Sequence, residues 1–231
     1  MKASLPLLLA ALCAIPSLAH ASADPPNILL IYADDLGYGD VSSYNPQSKI
    51  ETPHIDRLAD QGMRFTDAHS ASTVCTPSRY AVMTGRMPFR TGFRGVFTGV
   101  EGPCLIERER LTLAEMLQQR GYRTALIGKW HIGATFFDDS GIPVYESSDK
   151  EHAALVSHAD LSSPFADGPI DHGFDVFFGT IACPTTDWLY SYIDQDRLTA
   201  LPGPVRDRSK RPIHPWSRHY RAGIVSPDFN F

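Results

Sequence analysis

Cysteine is scarce in this chain of 231 residues, with four in all, and no apolar run reaches the roughly 18 residues that a membrane-spanning helix needs. A disulfide-stapled miniature fold and a helical membrane bundle are therefore excluded. Positive charge is also short: 21 Lys and Arg against 26 Asp and Glu give a net charge of −5 and a pI near 6.0. A chain of that balance repels nucleic acid and anionic membrane, so no nucleic-acid partner and no stable membrane anchor are expected. No internal repeat is found, which leaves out solenoids and propellers. What is present is ordinary globular composition, 43% apolar and 20% charged with 17 Gly and 18 Pro. A chain of this size can hide about 70% of its unfolded surface, enough for one sizeable core or two small ones.

The first 23 residues differ from the rest. Lys2 gives a short positive start, Leu5 to Leu18 is apolar but interrupted by Pro6 and Pro16, and Ala19-His20-Ala21 and Ala21-Ser22-Ala23 offer small-x-small cleavage sites. Residues 1–23 are expected to be a cleaved secretory signal, with the product exported to the periplasm or the extracellular space. Leu12 before Cys13 disfavours lipid attachment. Cleavage leaves 208 residues, a charge of −6 and three cysteines, Cys75, Cys104 and Cys183. An odd count in an oxidising compartment leaves at least one thiol unpaired, paired between chains or chemically altered. Spacing alone does not choose which.

The pattern downstream alternates strands and helices. Asn27 to Ala33 (NILLIYA) reads as a strand buried on both faces, ending in Asp34-Asp35. Thr52-Pro53 opens a short helix with Ile55, Leu58 and Ala59 on its apolar face and Gly62 to stop it. Thr112 and Glu115 form a capping box for a helix through Arg120, Gly121 ends it, and Tyr122 to Gly128 returns as a second buried strand. This rhythm predicts a parallel α/β sheet. Residues 134–169 are rich in turn formers and read as a surface excursion with one short helix near Glu151 to Val156. Order resumes at Gly173, and Trp188 to Ile193 and Arg197 to Leu201 flank Asp194-Gln195-Asp196 as a hairpin. Residues 202–221 are Pro-rich and basic.

Chemistry concentrates in a few places. Adjacent carboxylates Asp34 and Asp35 at a strand's C-terminal edge invite a hard cation, but taken alone, before Gly37, they read first as a solvated turn. Pro77 suits the first turn of a helix, which places Cys75 at its start beside unpaired amides, with Arg79 one turn on. That arrangement holds an anion or activates a thiol, and a lone cysteine there is also compatible with simple packing. Tyr80 and Met83 face packing partners before Gly85 ends the helix. Lys129 and His131, two apart on an extended segment, share a face, with Trp130 opposite; taken alone they read as a solvated lysine and a half-buried histidine.

The stretch Cys75 to Pro88, CTPSRYAVMTGRMP, closely resembles the first motif of the formylglycine-dependent sulfatases, and GYRTALIGKWHIG from Gly121 to Gly133 resembles the second. HGFDVFFG at His172 to Gly179 resembles a further stretch of the same family, and the likeness runs from about Pro26 to Gly179. It implies an alkaline phosphatase-like three-layer α/β sandwich with a mostly parallel central sheet, incomplete in this chain, so that residues 24–231 are the N-terminal portion of a sulfatase catalytic domain. It also implies that Cys75 is oxidised to formylglycine by a modification system that reads CxPxR, which accounts for the odd cysteine. One hydroxyl of the hydrated aldehyde would attack sulfur and expel the alcohol, and the second would restore the aldehyde and release sulfate.

Roles are carried over by matched position. Asp34, Asp35 and an oxygen on modified Cys75 would bind one Ca²⁺, which polarises the sulfate. Arg79 would neutralise the nucleophile, Lys129 would hold the sulfate or the hydrate, and His131 would take the proton during sulfate release. The family's later metal ligands and its leaving-group acid have no match here. Asp228-Phe229-Asn230 reads as the approach to a helix, and His214 and His219 as exposed loop residues. The chain by itself is therefore expected to release little or no sulfate, with Phe231 as a truncation point.

The substrate class implied is an aryl sulfate or a sulfated glycan. A related phosphonate monoester or phosphodiester hydrolase is an alternative within the superfamily. A second alternative is a non-catalytic remnant in which Arg206, Arg208, Lys210, Arg211, Arg218 and Arg221 bind sulfated glycans, although a solvated connecting loop is the preferred reading of that run. Specificity is expected from residues 134–169 and 183–192, with Trp188, Tyr190 and Tyr192 along one strand face available either to stack on a ring or to pack in the core.

Overall fold

Residues 25–148, 151–185, 187–206 and 222–230 are described by the computed structural model, and the chain divides into two compact units, residues 1–62 and 63–231. The leader expected over residues 1–23, His214, His219 and the basic residues from Arg208 to Arg221 lie outside the described residues.

In the first unit a 3-10 turn, Tyr38–Asp40, precedes helix α1, Pro53–Gln61. Pro53 occupies the first helical position, where no N–H partner is needed, and Gly62 follows the last. Ser42 and Thr52 brace the entry, their hydroxyls donating to the two oxygens of Asp56 at 2.6 and 3.0 Å. The apolar face expected on α1 is present but open, with Leu58 67% exposed. The strand expected over Asn27 to Ala33 does not form: the segment joins no ladder among the described residues, and Leu29 is 85% exposed. A strand exists only through hydrogen bonds to a neighbour, and an apolar run reports a tendency to be covered rather than the cover itself.

The second unit contains α2 (Cys75–Thr84), α3 (Leu113–Gln118), β1 (Ala125–Lys129), α4 (His152–His158) and β2 (Val176–Thr180). Five short strands follow: β3 (Leu189–Tyr190), β4 (Ile193–Asp194), β5 (Arg197–Leu198), β6 (Val205–Arg206) and β7 (Gly223–Val225). The capping box of α3 forms as expected, Glu115 N donating to the Thr112 hydroxyl at 3.1 Å and Thr112 N to Glu115 Oε2 at 2.8 Å. The helix stops at Gln118, short of Arg120, and Gly121 turns the chain in the left-handed region at φ +82.

β1 starts at Ala125, three residues later than the pattern predicts, and pairs in parallel with β2 from Ala125 opposite Val176 to Lys129 opposite Thr180. At the Gly128–Gly179 pair the backbones come so close that a Cβ on Gly179 would lie 1.8 Å from the Gly128 carbonyl oxygen, which makes glycine obligatory there. β1 is covered on one side only, with Ile127 70% exposed, so it is not the doubly buried strand expected. The sheet is mixed, in the order β1-β2-β4-β5, with β2/β4 and β4/β5 antiparallel. The reason lies in the connections. Gln195-Asp196 is a two-residue turn, which can join only antiparallel neighbours, whereas residues 130–175 give β1 and β2 the long crossover that a parallel pair requires.

A second sheet runs β3-β7-β6, with β3 and β7 parallel. Trp188 to Ile193, expected as one strand, is thus shared between two sheets. Its aromatics do not form one open face: Tyr190 is 1% exposed and packs on Phe229, while Tyr192 stacks on Phe178 at 5.8 Å. Residues 134–169 are likewise no surface excursion. The short helix expected there is α4, but Ala134, Phe136, Val144, Leu155, Val156 and Phe165 are all buried in the main core, with the Phe136 and Phe165 rings 4.9 Å apart. Turn formers such as Asp138 to Gly141 set the path of this segment, bridged at Thr135–Ala166 and Phe137–Pro143, and the apolar residues between the turns face inward. No helix among the described residues is long and apolar enough to cross a membrane.

Candidate active site

The site is built around the start of α2. Val74 is extended at φ −116, the helix begins at Cys75, and Ser78 N makes an early helical bond to Val74 O at 3.1 Å. Pro77 is harmless in this first turn because its missing N–H would have no helical partner. Tyr80 and Met83 are buried, as expected, and Gly85 closes the helix at φ +65 with its N–H on Ala81 O at 2.8 Å. Cys75 therefore sits in the first turn with Arg79 one turn along.

The chain leaving β1 runs past this turn and is gripped from two sides. Its amides continue the sheet, Trp130 N donating to Thr180 O and His131 N to Ile181 O, both at 2.9 Å. Its carbonyls meet α2: Arg79 Nη1 donates to the Lys129 carbonyl, and the Thr76 hydroxyl donates to the His131 carbonyl at 2.7 Å. On this segment the Lys129 side chain reaches Cys75, with Nζ 3.2 Å from Sγ. Cys75, Arg79 and Lys129 are thus brought together.

His131 arrives differently. β1 ends at Lys129, and His131 adopts φ +59, uncommon for a residue with a side chain, so strand alternation does not place its ring. The ring is 1% exposed rather than half-buried, with Nε2 2.7 Å from the Phe97 carbonyl oxygen. A carbonyl only accepts, so Nε2 carries the hydrogen and Nδ1 is the nitrogen that can take a proton. Trp130 is buried in packing, donating to Gly133 O at 2.8 Å and stacking on His172 at 5.9 Å. Thr76 and the Phe97 main chain are participants that the sequence does not single out. Thr76 has one signal, a polar residue three before Arg79 on the same helix; a backbone carbonyl has none.

Cys75, Cys104 and Cys183 form no disulfide among the described residues. Burial pushes the Cys104 thiol up to about 12, which makes it inert, and the Cys183 sulfur lies 3.3 Å from the Thr185 hydroxyl. Of the three, Cys75 is the one with a cationic ammonium beside it.

Asp34 and Asp35 belong to the first unit and are exposed in a bend, Asp35 at φ +57, a conformation that Asp tolerates better than most residues. Among the described residues no group of three or more His, Cys, Asp or Glu could hold a metal ion. Two carboxylates and one oxygen on residue 75 leave much of a shell of roughly six to eight oxygens unfilled, so the residues described here do not by themselves fit calcium. Asp228 accepts from the Thr199 hydroxyl at 2.6 Å, and Phe229 is buried against Tyr190 and Tyr192.

Known proteins resemble this chain. The sulfatase family model matches residues 26–198. Arylsulfatase A of Bos taurus is 50% identical over 116 residues, 49% of this chain and 22% of that protein. Steryl-sulfatase of Mus musculus is 38% identical over 181 residues, 76% of this chain and 25% of that protein. A solved sulfatase structure from the metabolism of multiple glycosaminoglycans by Bacteroides thetaiotaomicron matches with a TM-score of 0.63 and 31% identity, over 84% of this chain and 36% of that one. The chain therefore spans about a quarter of the length of the curated relatives it matches. Its α/β fold is alkaline phosphatase-like, as in its structural neighbours. With a match over most of its length, this chain belongs to the sulfatase family, enzymes that hydrolyse sulfate esters.

Proposed function

We propose that the protein releases inorganic sulfate from sulfate esters, with Cys75 converted to formylglycine and with Arg79, Lys129 and His131 as the surrounding catalytic groups. The observation that carries this reading is the Lys129 ammonium 3.2 Å from the Cys75 sulfur, at the start of α2 in a member of the sulfatase family. The thiol stands for the oxygen-bearing side chain of the modified residue. When present, formylglycine supplies a hydrated aldehyde, one hydroxyl of which is the nucleophile toward sulfur.

The chain's own groups have separable tasks. Lys129 holds negative charge beside residue 75. Arg79 adds a second cation one turn along α2, and its bond to the Lys129 carbonyl orients the guanidinium. His131 takes up, at Nδ1, the proton given off as sulfate leaves, and the bond from Nε2 to Phe97 holds the ring in that tautomer. Asp34 and Asp35, with an oxygen on residue 75, are assigned to a calcium shell on their match to the family pattern. They fill too few of its positions, and no step here runs through the metal.

Aryl sulfates and sulfated glycans are the proposed substrates. The glycan side is supported by the 47% identity over 108 residues to N-acetylgalactosamine-6-O-sulfatase of Bacteroides thetaiotaomicron. Export through the leader at residues 1–23 and modification of Cys75 by a formylglycine-generating system complete the reading. The test compares turnover of an aryl sulfate with that of an aryl phosphodiester by the full-length gene product, with intact-mass analysis of residue 75. Faster sulfate release with formylglycine present is expected. Faster phosphodiester cleavage would make it a phosphodiesterase, and heparin retention with unmodified Cys75 and no sulfate release would make it a glycan-binding remnant.

A further inference from the structure

We propose that Thr76 is a positioning residue for this reaction, its buried hydroxyl fixing residue 75 relative to His131. The proposal rests on the sulfatase reading for what residues 75 and 131 do, and on its own geometry for the tie between them. Thr76 is 0% exposed. Its hydroxyl donates to the His131 carbonyl at 2.7 Å and accepts from Phe97 N at 3.4 Å. The His131 ring in turn donates from Nε2 to the Phe97 carbonyl at 2.7 Å. Three contacts close a ring that passes through one side-chain hydroxyl, and Cys75 is the adjoining residue. His131 cannot shift relative to residue 75 without breaking one of them.

The spacing explains why a helix can do this. Positions three apart on a helix, here Thr76 and Arg79, project from one face roughly 5–6 Å apart. The carbonyls of Lys129 and His131, two apart on the passing segment, each accept from one of these side chains. Two side chains of α2 can therefore hold two carbonyls of the passing segment at once. Holding is needed, because the left-handed backbone at His131 is unfavourable for a histidine and persists only where its surroundings enforce it. Replacing the hydroxyl by a methyl of the same shape leaves the His131 carbonyl and the Phe97 N–H without this partner, at little change in volume.

The experiment uses the full-length gene product carrying Thr76→Val, Thr76→Ser or, as a second hydroxyl-free variant, Thr76→Ala, with Thr84→Val as a control. Thr84 lies nine positions along the same helix from Cys75, its hydroxyl donating to Tyr80 O at 2.7 Å and accepting from Arg86 N at 3.3 Å. Turnover of an aryl sulfate is normalised to formylglycine content, and amide exchange is followed at Phe97. Thr76→Val and Thr76→Ala are expected to lower kcat about 10- to 100-fold with KM within about twofold, the signature of misplacement rather than lost binding. Phe97 exchange should accelerate about tenfold or more in the same variants. Thr76→Ser should restore both readouts, and Thr84→Val should leave both unchanged. Unchanged kcat and Phe97 protection in Thr76→Val, or a serine variant as impaired as the valine one, would overturn the proposal. A wild-type protein that releases no sulfate would instead remove the proposed function, and Phe97 exchange would still decide whether the tie exists.

Discussion

Helices α1 and α2 are nine and ten residues long, and each has a proline near its start and a glycine at its end, yet they are used in opposite ways. The apolar residues of α1 recur with helical spacing and none of its residues is buried; α2 mixes polar and apolar positions and buries Thr76, Pro77, Ser78, Tyr80 and Met83. A regular apolar stripe says only that a face is suited to cover. The irregular helix shows what a functional element requires: the buried hydroxyls of Thr76 and Ser78 both have partners, Thr76 on the His131 carbonyl and Ser78 on Ser70 at 2.8 Å, whereas the Tyr80 hydroxyl has none among the described residues. Chemistry displaces the stripe.

The contrast is sharpest in activity. Cys75→Ala at the start of α2 should reduce sulfate release by the full-length gene product about 10³-fold or more, while Leu58→Ala on α1 should change it less than about twofold. Stability should separate the helices next. Tyr80→Ala should cost about 3–5 kcal/mol, by the precedent of large aromatic truncations in cores, against under about 0.5 kcal/mol for Leu58→Ala, read from urea midpoints. Equal losses at the two positions would mean that α1 is covered in solution and would dissolve the comparison.

Burial of a polar group can also be unfavourable, and Asp187 marks that limit. It is 2% exposed, and burial raises its carboxyl from 3.8 to about 7 although its Oδ1 accepts from the Gly99 and Trp188 amides. Between about pH 4 and 7 the folded protein keeps a proton that the unfolded chain releases, so stability falls as pH rises through that window and levels off above it. Asp187→Asn retains an acceptor and removes the titration. Its urea midpoint should exceed that of the wild type at pH 8 and converge with it toward pH 4, the gap being on the order of a few kcal/mol at most. The smallest effect concerns the first unit. Chelating calcium from the 231-residue chain should move its melting temperature by less than about 1 °C, because Asp34 and Asp35 offer too few oxygens for tight binding.

Legibility followed the range of the interactions. The start of α2 at Cys75, its end at Gly85, the Thr112–Glu115 capping box and the turn at Gln195-Asp196 depend on residues within a few positions of one another, and each was readable from sequence. Asn27 to Ala33 was not, since a strand needs a partner that no local pattern names. Residues 134–169 misled because turn formers are conspicuous while Phe136 and Phe165, packed across some thirty positions, are not. At the site, the motifs gave Cys75, Arg79, Lys129 and His131 as a set, and the distances added that Lys129 touches Cys75 while His131 is carried by Thr76 and Phe97. The left-handed step at His131 is a tertiary constraint with no signature in residue type.

The double grip on the segment after β1 bears on how such a site tolerates change over generations. Apart from the side chains of Thr76, Arg79 and His131, the atoms that hold it are main-chain amides and carbonyls of residues 97, 129–131, 180 and 181. Substitution rewrites side chains and leaves those atoms in place, so Phe97, Thr180 and Ile181 can be replaced, within the limits of packing, without removing a strut. Heritable variation can then reshape the walls around the reacting groups while the frame that aims them is transmitted unaltered.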